Sequence, residues 1–309
     1  GVIGASRNNM PLPNFMIIGT TKGGTTSLYK YFRSHPEIYM SPLKEPRYFA
    51  FDPTNPDHQS RVSHTFPVTS MEQYLALFEG VKKEKAIGEA SPMYLNSSIA
   101  AARIRKSIPD VKLLVSLRNP VDRAYSHYLM YNREGNVQVP FVDAFRNLEG
   151  ADAFCQHYVR TSFYYEKLRR YFDRFSRDQI KVVFLEDLTE DPLRIIRELF
   201  QYLGVEETFV PEVSKVHNLG GSPSNKALYS IARYGFLPPS FYHRMSAMLK
   251  PVVPRFVVDF RRKLMQINLE KPAPLTLETR GQVIDVYRED ILRTQELIQK
   301  DLSSWLQKG

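Results

Sequence analysis

The chain has 309 residues, 43% of them hydrophobic, with a net charge of +9. Its length supports one large α/β domain or two small ones; its single cysteine, Cys155, excludes an intrachain disulfide or a cysteine-built metal cluster; and no apolar run approaches the ~18 residues of a membrane-crossing helix. The charge calls for an acidic partner: nucleic acid, anionic lipid or a polyanionic small molecule.

A disulfide-free chain of this size favours a reducing, cytoplasmic setting. Residues 1–13 lack an apolar signal-peptide core and read as a linker or an expression remnant, leaving one domain over 14–309. Phe15–Gly19 reads as a buried strand, followed by a loop and a helix near Thr25–Arg33. Asp52–Thr69 is polar and poorly periodic, a surface excursion. Ser70–Phe78 reads as a helix, and Ala86–Gly88 as the core of a short strand leading into Glu89. Ser97–Ser107 is helical and is ended by Pro109. "VKLLVSLR", Val111–Arg118, is a buried strand, followed by a helix with Asn119 as cap and Pro120 in its first turn. Thr161–Phe175 reads as an aromatic-rich helix, Ile180–Asp187 as a buried strand, and Pro192–Leu203 as a helix closed by Gly204. From about Thr276 an amphipathic helix carries Ile284, Tyr287, Ile291, Ile298, Leu302 and Trp305 on one stripe. Alternating strands and helices predict an α/β fold: a central parallel sheet flanked by helices, P-loop-like in its first loop.

That loop carries the chemistry. A nucleotide P-loop reads G-x-x-x-x-G-K-[ST] after a strand. Gly19, Gly24 and Thr26 fall at the right offsets, but Thr25 stands where the lysine belongs, and the lysine, Lys22, lies inside the loop. Gly23 and Gly24 let backbone N–H groups approach an anion, and the following helix adds its N-terminal dipole. The strand ending in Ser116 and Leu117 offers no acidic residue to hold Mg²⁺. Weak metal provision fits sulfuryl transfer, because a sulfuryl group carries less negative charge than a phosphoryl. A P-loop kinase is the alternative, and the displaced lysine speaks against it.

With these residues in view the sequence resembles the sulfotransferases that use 3′-phosphoadenosine 5′-phosphosulfate (PAPS). "FMIIGTTKGGTTSLYKYF" resembles their 5′-phosphosulfate loop and "LVSLRNPVDRAYSHY" their 3′-phosphate motif. The likeness is to the branch with heparan sulfate and bacterial enzymes, and "LKEPRYF", "IGEASPMYL", "SFYYEKLRRYF" and "VHNLGGSPSNKALY" extend it to about residue 235. The resemblance implies the sulfotransferase fold, PAPS as donor, PAP as product and no metal requirement. It implies that Lys22, with Gly23, Gly24, Thr25, Thr26 and Ser27, binds the 5′-phosphosulfate. Arg118 and Ser126 bind the 3′-phosphate, joined by Lys226 from a late loop. Arg123 either joins them or is a surface charge. Tyr164 matches an aromatic residue on the adenosine side, or is a core tyrosine.

Glu45 aligns with the branch's catalytic base, which takes the acceptor's proton; the competing reading pairs it with Lys44 or Arg47. His217 is the second candidate base. Arg47 replaces a frequent histidine, and Ala90 follows Glu89 where the branch has a catalytic lysine. Both departures argue against a heparan-type acceptor site. The acceptor classes left open are carbohydrates, lipids, small hydroxylated metabolites and β-hydroxyacyl chains on an acyl carrier protein. Phe241–Leu264, mixing aromatic and basic residues, reads as an acceptor lid, a surface for membrane or acidic carrier, or ordinary packing. Nucleic-acid binding is suggested by charge alone, without a supporting signature.

Overall fold

The computed structural model describes residues 11–212, 222–223, 269–270 and 273–308. Two compact units are distinguished: residues 1–123, 161–217 and 284–309 form the first, and 124–160 and 218–283 the second.

The first unit holds the sheet. In chain order it contains β1 (Phe15–Gly19), α1 (Thr25–Ser34), β2 (Ile38–Met40), a 3₁₀ turn (Tyr48–Ala50), α2 (Pro56–Ser60), α3 (Met71–Ala76), β3 (Ala86–Ala90), a second 3₁₀ turn (Pro92–Leu95), α4 (Ala100–Ser107) and β4 (Lys112–Leu117). Helix α5 (Pro120–Arg133) runs from the first unit into the second, which continues with α6 (Asp143–Arg146) and α7 (Ala153–Arg160). The first unit resumes with α8 (Tyr165–Phe172), β5 (Ile180–Phe184), α9 (Leu185–Glu190) and α10 (Pro192–Leu203). Helix α11 (Leu277–Ile298) begins in the second unit and ends in the first.

The five strands of this sheet pair in parallel, in the order β2-β3-β1-β4-β5, and in the second unit Ser222–Pro223 pairs antiparallel with Leu269–Glu270. Every residue of β1 is buried, and so are Leu113 to Leu117 of β4. A strand buried on both faces needs apolar side chains on both, which is why "FMII" and "LLV" read as unbroken runs. One face packs Phe15 and Ile17 against Leu28 and Phe32 of α1 and Ile196, Leu199 and Phe200 of α10. Phe15 meets Phe32 edge to face, with centroids 5.6 Å apart.

The predicted fold class is the one found. Helix α10 is bounded as its sequence signals: the Asp191 carboxylate accepts from the Arg194 N–H, Pro192 opens the first turn and Gly204 closes it at φ 74°. Asn119 caps α5 through the Val121 N–H. Ile284, Tyr287, Ile291, Ile298, Leu302 and Trp305 are all buried, as their stripe requires. The strand expected over Ile180–Asp187 ends at Phe184, where α9 begins; α11 ends at Ile298, before Leu302 and Trp305; and one expected helix starts late. Over Thr161–Phe175 the chain turns first, and α8 begins only at Tyr165. The Asp290 carboxylate of α11 caps that start, accepting from the N–H groups of Tyr164 (2.6 Å) and Tyr165 (3.1 Å).

Among the described residues, no helix is long and apolar enough to cross a membrane.

Candidate active site

In a parallel sheet all strands end on one edge, and β1 lies where the chain switches from building one side to building the other. Ligands of open α/β sheets bind outside such a point. The loop from Thr20 to Gly24 leaves β1 there. It is folded onto β4: the Thr20 N–H donates to the Ser116 carbonyl (2.8 Å), the Gly23 N–H to Thr20 (2.9 Å), and the Ser116 hydroxyl to the Gly23 carbonyl. A Cβ on Gly23 would lie 2.4 Å from the Ser116 carbonyl oxygen, so only glycine lets the loop lie this close. Gly24 has φ 88°, a left-handed conformation that glycine adopts without strain, and from it α1 starts.

This geometry suits an anion. The first N–H groups of α1 have no acceptor within the helix, and no acidic residue stands in its first turn. Lys22 is half-buried in the loop at φ 70°. Thr25 is buried, while Thr26 and Ser27 are half-buried. The Thr20 hydroxyl is buried with no hydrogen-bond partner in the protein, an orphan that a bound anion would satisfy. The donor set therefore fits a phosphosulfate group.

Arg118 follows the last residue of β4 on the same sheet edge and is half-buried. Its carbonyl accepts from the Tyr164 hydroxyl (2.8 Å), which brings two predicted residues together. Tyr164 is otherwise enclosed, its ring near Trp305, and burial raises its phenol far above the usual range. That environment is the core-tyrosine reading. Glu186, at the start of α9, accepts from the Asn119 N–H (2.8 Å); burial pushes its carboxyl up, against the pull of that hydrogen bond and of the Arg118 charge. Arg123 is completely buried, so it is no surface charge: its Nε donates to the Ser162 hydroxyl. Ser126 lies on α5 in the second unit, half-buried. His217 and Lys226, like Phe241–Leu264, lie outside the described residues.

Glu45 sits in a turn beyond β2. Its N–H donates to the Ala90 carbonyl at the end of β3 (2.9 Å). Lys44 donates to one carboxylate oxygen (2.8 Å), and Arg47 takes the other with Nε (3.1 Å) and a terminal nitrogen. Glu45 and Arg47 both have positive φ, 65° and 58°, which a non-glycine residue holds only when its surroundings fix it. Burial raises the Glu45 carboxyl, but the charges of Lys44 and Arg47 outweigh it, and the group is held below its ordinary range. The carboxylate is ionised and a quarter exposed.

Sequence reasoning passed over a second carboxylate. Glu89, on β3, is fully buried. It accepts from the hydroxyls of Tyr74 (3.2 Å) and Ser91 (2.8 Å), and the Tyr94 hydroxyl lies beside it. Burial pushes its carboxyl up to about 7; the three hydroxyls pull against that rise and the Glu45 charge adds to it. The signal was an acid inside the otherwise apolar strand "AIGEA".

The profile of the Sulfotransferase domain family matches residues 12–226, more than half the chain and all of the loop, Glu45 turn and Arg118 region. The chain belongs to that family. As a sulfotransferase-domain protein it resembles a sulfotransferase crystal structure from Alicyclobacillus acidocaldarius, with TM-score 0.68, 27% identity, and coverage of 96% of this chain and 100% of that one. It is 27% identical over 218 residues to the heparan sulfate glucosamine 3-O-sulfotransferase 3B1 of Mus musculus, covering 70% of this chain and 52% of the relative. It is 36% identical over 120 residues to the membrane-associated sulfotransferase kil1 of Dictyostelium discoideum, covering 38% of this chain and 22% of the relative. The sulfotransferase domain here thus spans between a fifth and about half of these two curated relatives.

Proposed function

We propose that the protein transfers a sulfuryl group from PAPS to an acceptor hydroxyl. The observation that carries this reading is the glycine loop wrapped on β4, with Lys22 in place of a P-loop lysine and an acid-free helix start behind it. PAPS, when bound, supplies an activated sulfuryl group in anhydride linkage to phosphate. Lys22, the N–H groups of Gly24, Thr25 and Thr26 and the hydroxyls of Thr25, Thr26 and Ser27 hold the 5′ end and oppose its charge, while Gly23 keeps the loop folded close beneath it. Arg118 is assigned to the 3′-phosphate, a role its place at the sheet edge supports; Ser126 and Lys226 are assigned there by resemblance.

Glu45 is the general base. Its pairing keeps it ionised at neutral pH, ready to accept the proton that an attacking hydroxyl sheds as its oxygen bonds to sulfur. His217 is the second candidate for this proton. The acceptor is a hydroxylated molecule, and one tethered to an acyl carrier protein belongs among those tested, since carrier domains are acidic and this chain carries +9.

PAP raises the melting temperature, corresponding to about 2.7 kcal/mol at a ligand concentration ~100 times Kd. ATP at the same concentration raises it far less, because it lacks the 3′-phosphate. Differential scanning fluorimetry reads both, and equal stabilisation by the two ligands would overturn the donor assignment in favour of a nucleotide kinase.

A further inference from the structure

We propose that Glu89 is a positioning residue for the Glu45 carboxylate, acting through the Ser91 hydroxyl, which grips the backbone just beyond it. The proposal rests on the reading of Glu45 as the base. The Ser91 hydroxyl donates to Glu89 (2.8 Å) and accepts from the Arg47 N–H (3.1 Å). The Tyr94 hydroxyl, beside Glu89, accepts from the Phe49 N–H (3.5 Å). Arg47 in turn holds Glu45 through its guanidinium.

An ionised carboxylate only accepts hydrogen bonds, and a hydroxyl has one hydrogen. Ionised Glu89 therefore draws the hydrogens of Ser91 and Tyr74 inward. The Ser91 oxygen is left as an acceptor for the Arg47 N–H. Protonation turns one Glu89 oxygen into a donor, and at least one hydroxyl must reorient. The grip on the left-handed Arg47 weakens, and with it the placement of Glu45. Arg103 secures only the far side of this segment, donating to the carbonyls of Tyr48 and Phe49.

The titratable groups facing Glu89 are Tyr74 from α3, Tyr94 from the second 3₁₀ turn, Tyr171 from α8 and Glu45 from its turn. Burial raises the phenols of all three tyrosines well above neutrality. Glu45 is held low by Lys44 and Arg47. Glu89, with its carboxyl near 7, is the member of this set that changes charge across neutral pH.

The test is NMR of protein enriched with glutamate labelled at the δ-carbon, titrated across neutral pH. The Glu45 signal is assigned by its loss in Glu45→Gln. In the native chain it shifts as Glu89 titrates; in Glu89→Gln it is flat over that range, and in Ser91→Ala, the milder variant, the shift is reduced. In parallel, PAP formation from PAPS with water or glycerol as acceptor falls about tenfold in Glu89→Gln, and that loss vanishes in the Glu45→Gln background. The native rate declines as pH drops through the Glu89 titration, and this limb is missing in Glu89→Gln. A Glu45 signal that titrates unchanged in both variants overturns the proposal, as does an equal Glu89→Gln loss in both backgrounds. A native rate in Glu45→Gln instead overturns the base reading, and the NMR coupling distinguishes that failure.

Discussion

Glu45→Gln lowers kcat by roughly 10²-fold or more while leaving PAP affinity nearly unchanged. The amide keeps the shape of the side chain but cannot take a proton. It also loses the charge that Lys44 and Arg47 hold between them. Because the three side chains are only about a quarter exposed, breaking these pairs costs stability, so circular dichroism first checks that the variant is folded. Steady-state rates alongside PAP titration calorimetry separate the two effects. A near-native kcat in Glu45→Gln with a collapse in His217→Ala would move the proton to His217. A near-native kcat in both would leave proton removal to solvent or to the acceptor.

Lys22→Ala lowers kcat by roughly 10²–10³-fold, as the loss of a positioned charge at an oxyanion does, and it also weakens PAP binding. The contrast with Glu45→Gln is the informative part. Lys22 sits in the loop that grips the phosphate end, so bound product and transition state both feel its absence. Lys22→Arg restores binding better than turnover, because the planar guanidinium keeps the charge but not the reach of a point ammonium. If Lys22→Ala binds PAP and turns over as the native chain does, the loop does not perform the function assigned to it.

Much of the site is written locally. The loop is legible because Gly19, Gly23 and Gly24 follow an apolar run at fixed offsets, and the structure gives Gly23 and Gly24 tasks only glycine does well. Helix α10 is equally legible, since Asp191, Pro192 and Gly204 are the residues that bound it. What escapes is whatever depends on distant partners. Thr161–Phe175 looks like one helix because nothing nearby says otherwise, yet the carboxylate that sets its start is Asp290, 125 residues away from Tyr165. Strand β2 is three residues long, too short for its alternation to register. Glu45 shows its pairing in the letters "KEPR", but the arrangement that holds it does not. Ser91 and Tyr94 reach Arg47 and Phe49 across the fold, and Ser91 is itself bonded to Glu89 on a buried strand. An acid within an apolar strand is the trace such a residue leaves in a sequence.

The central claim, sulfuryl transfer from PAPS, is tested most directly by mass spectrometry. The protein is incubated with PAPS and, in separate reactions, a carrier-tethered β-hydroxyacyl chain, an oligosaccharide, a lipid alcohol and small hydroxylated metabolites, with ATP replacing PAPS in a parallel series. One acceptor class gains a single sulfuryl group with equimolar release of PAP, and this gain is abolished in Lys22→Ala. Phosphoryl gain from ATP, with no acceptor sulfated from PAPS, would contradict it.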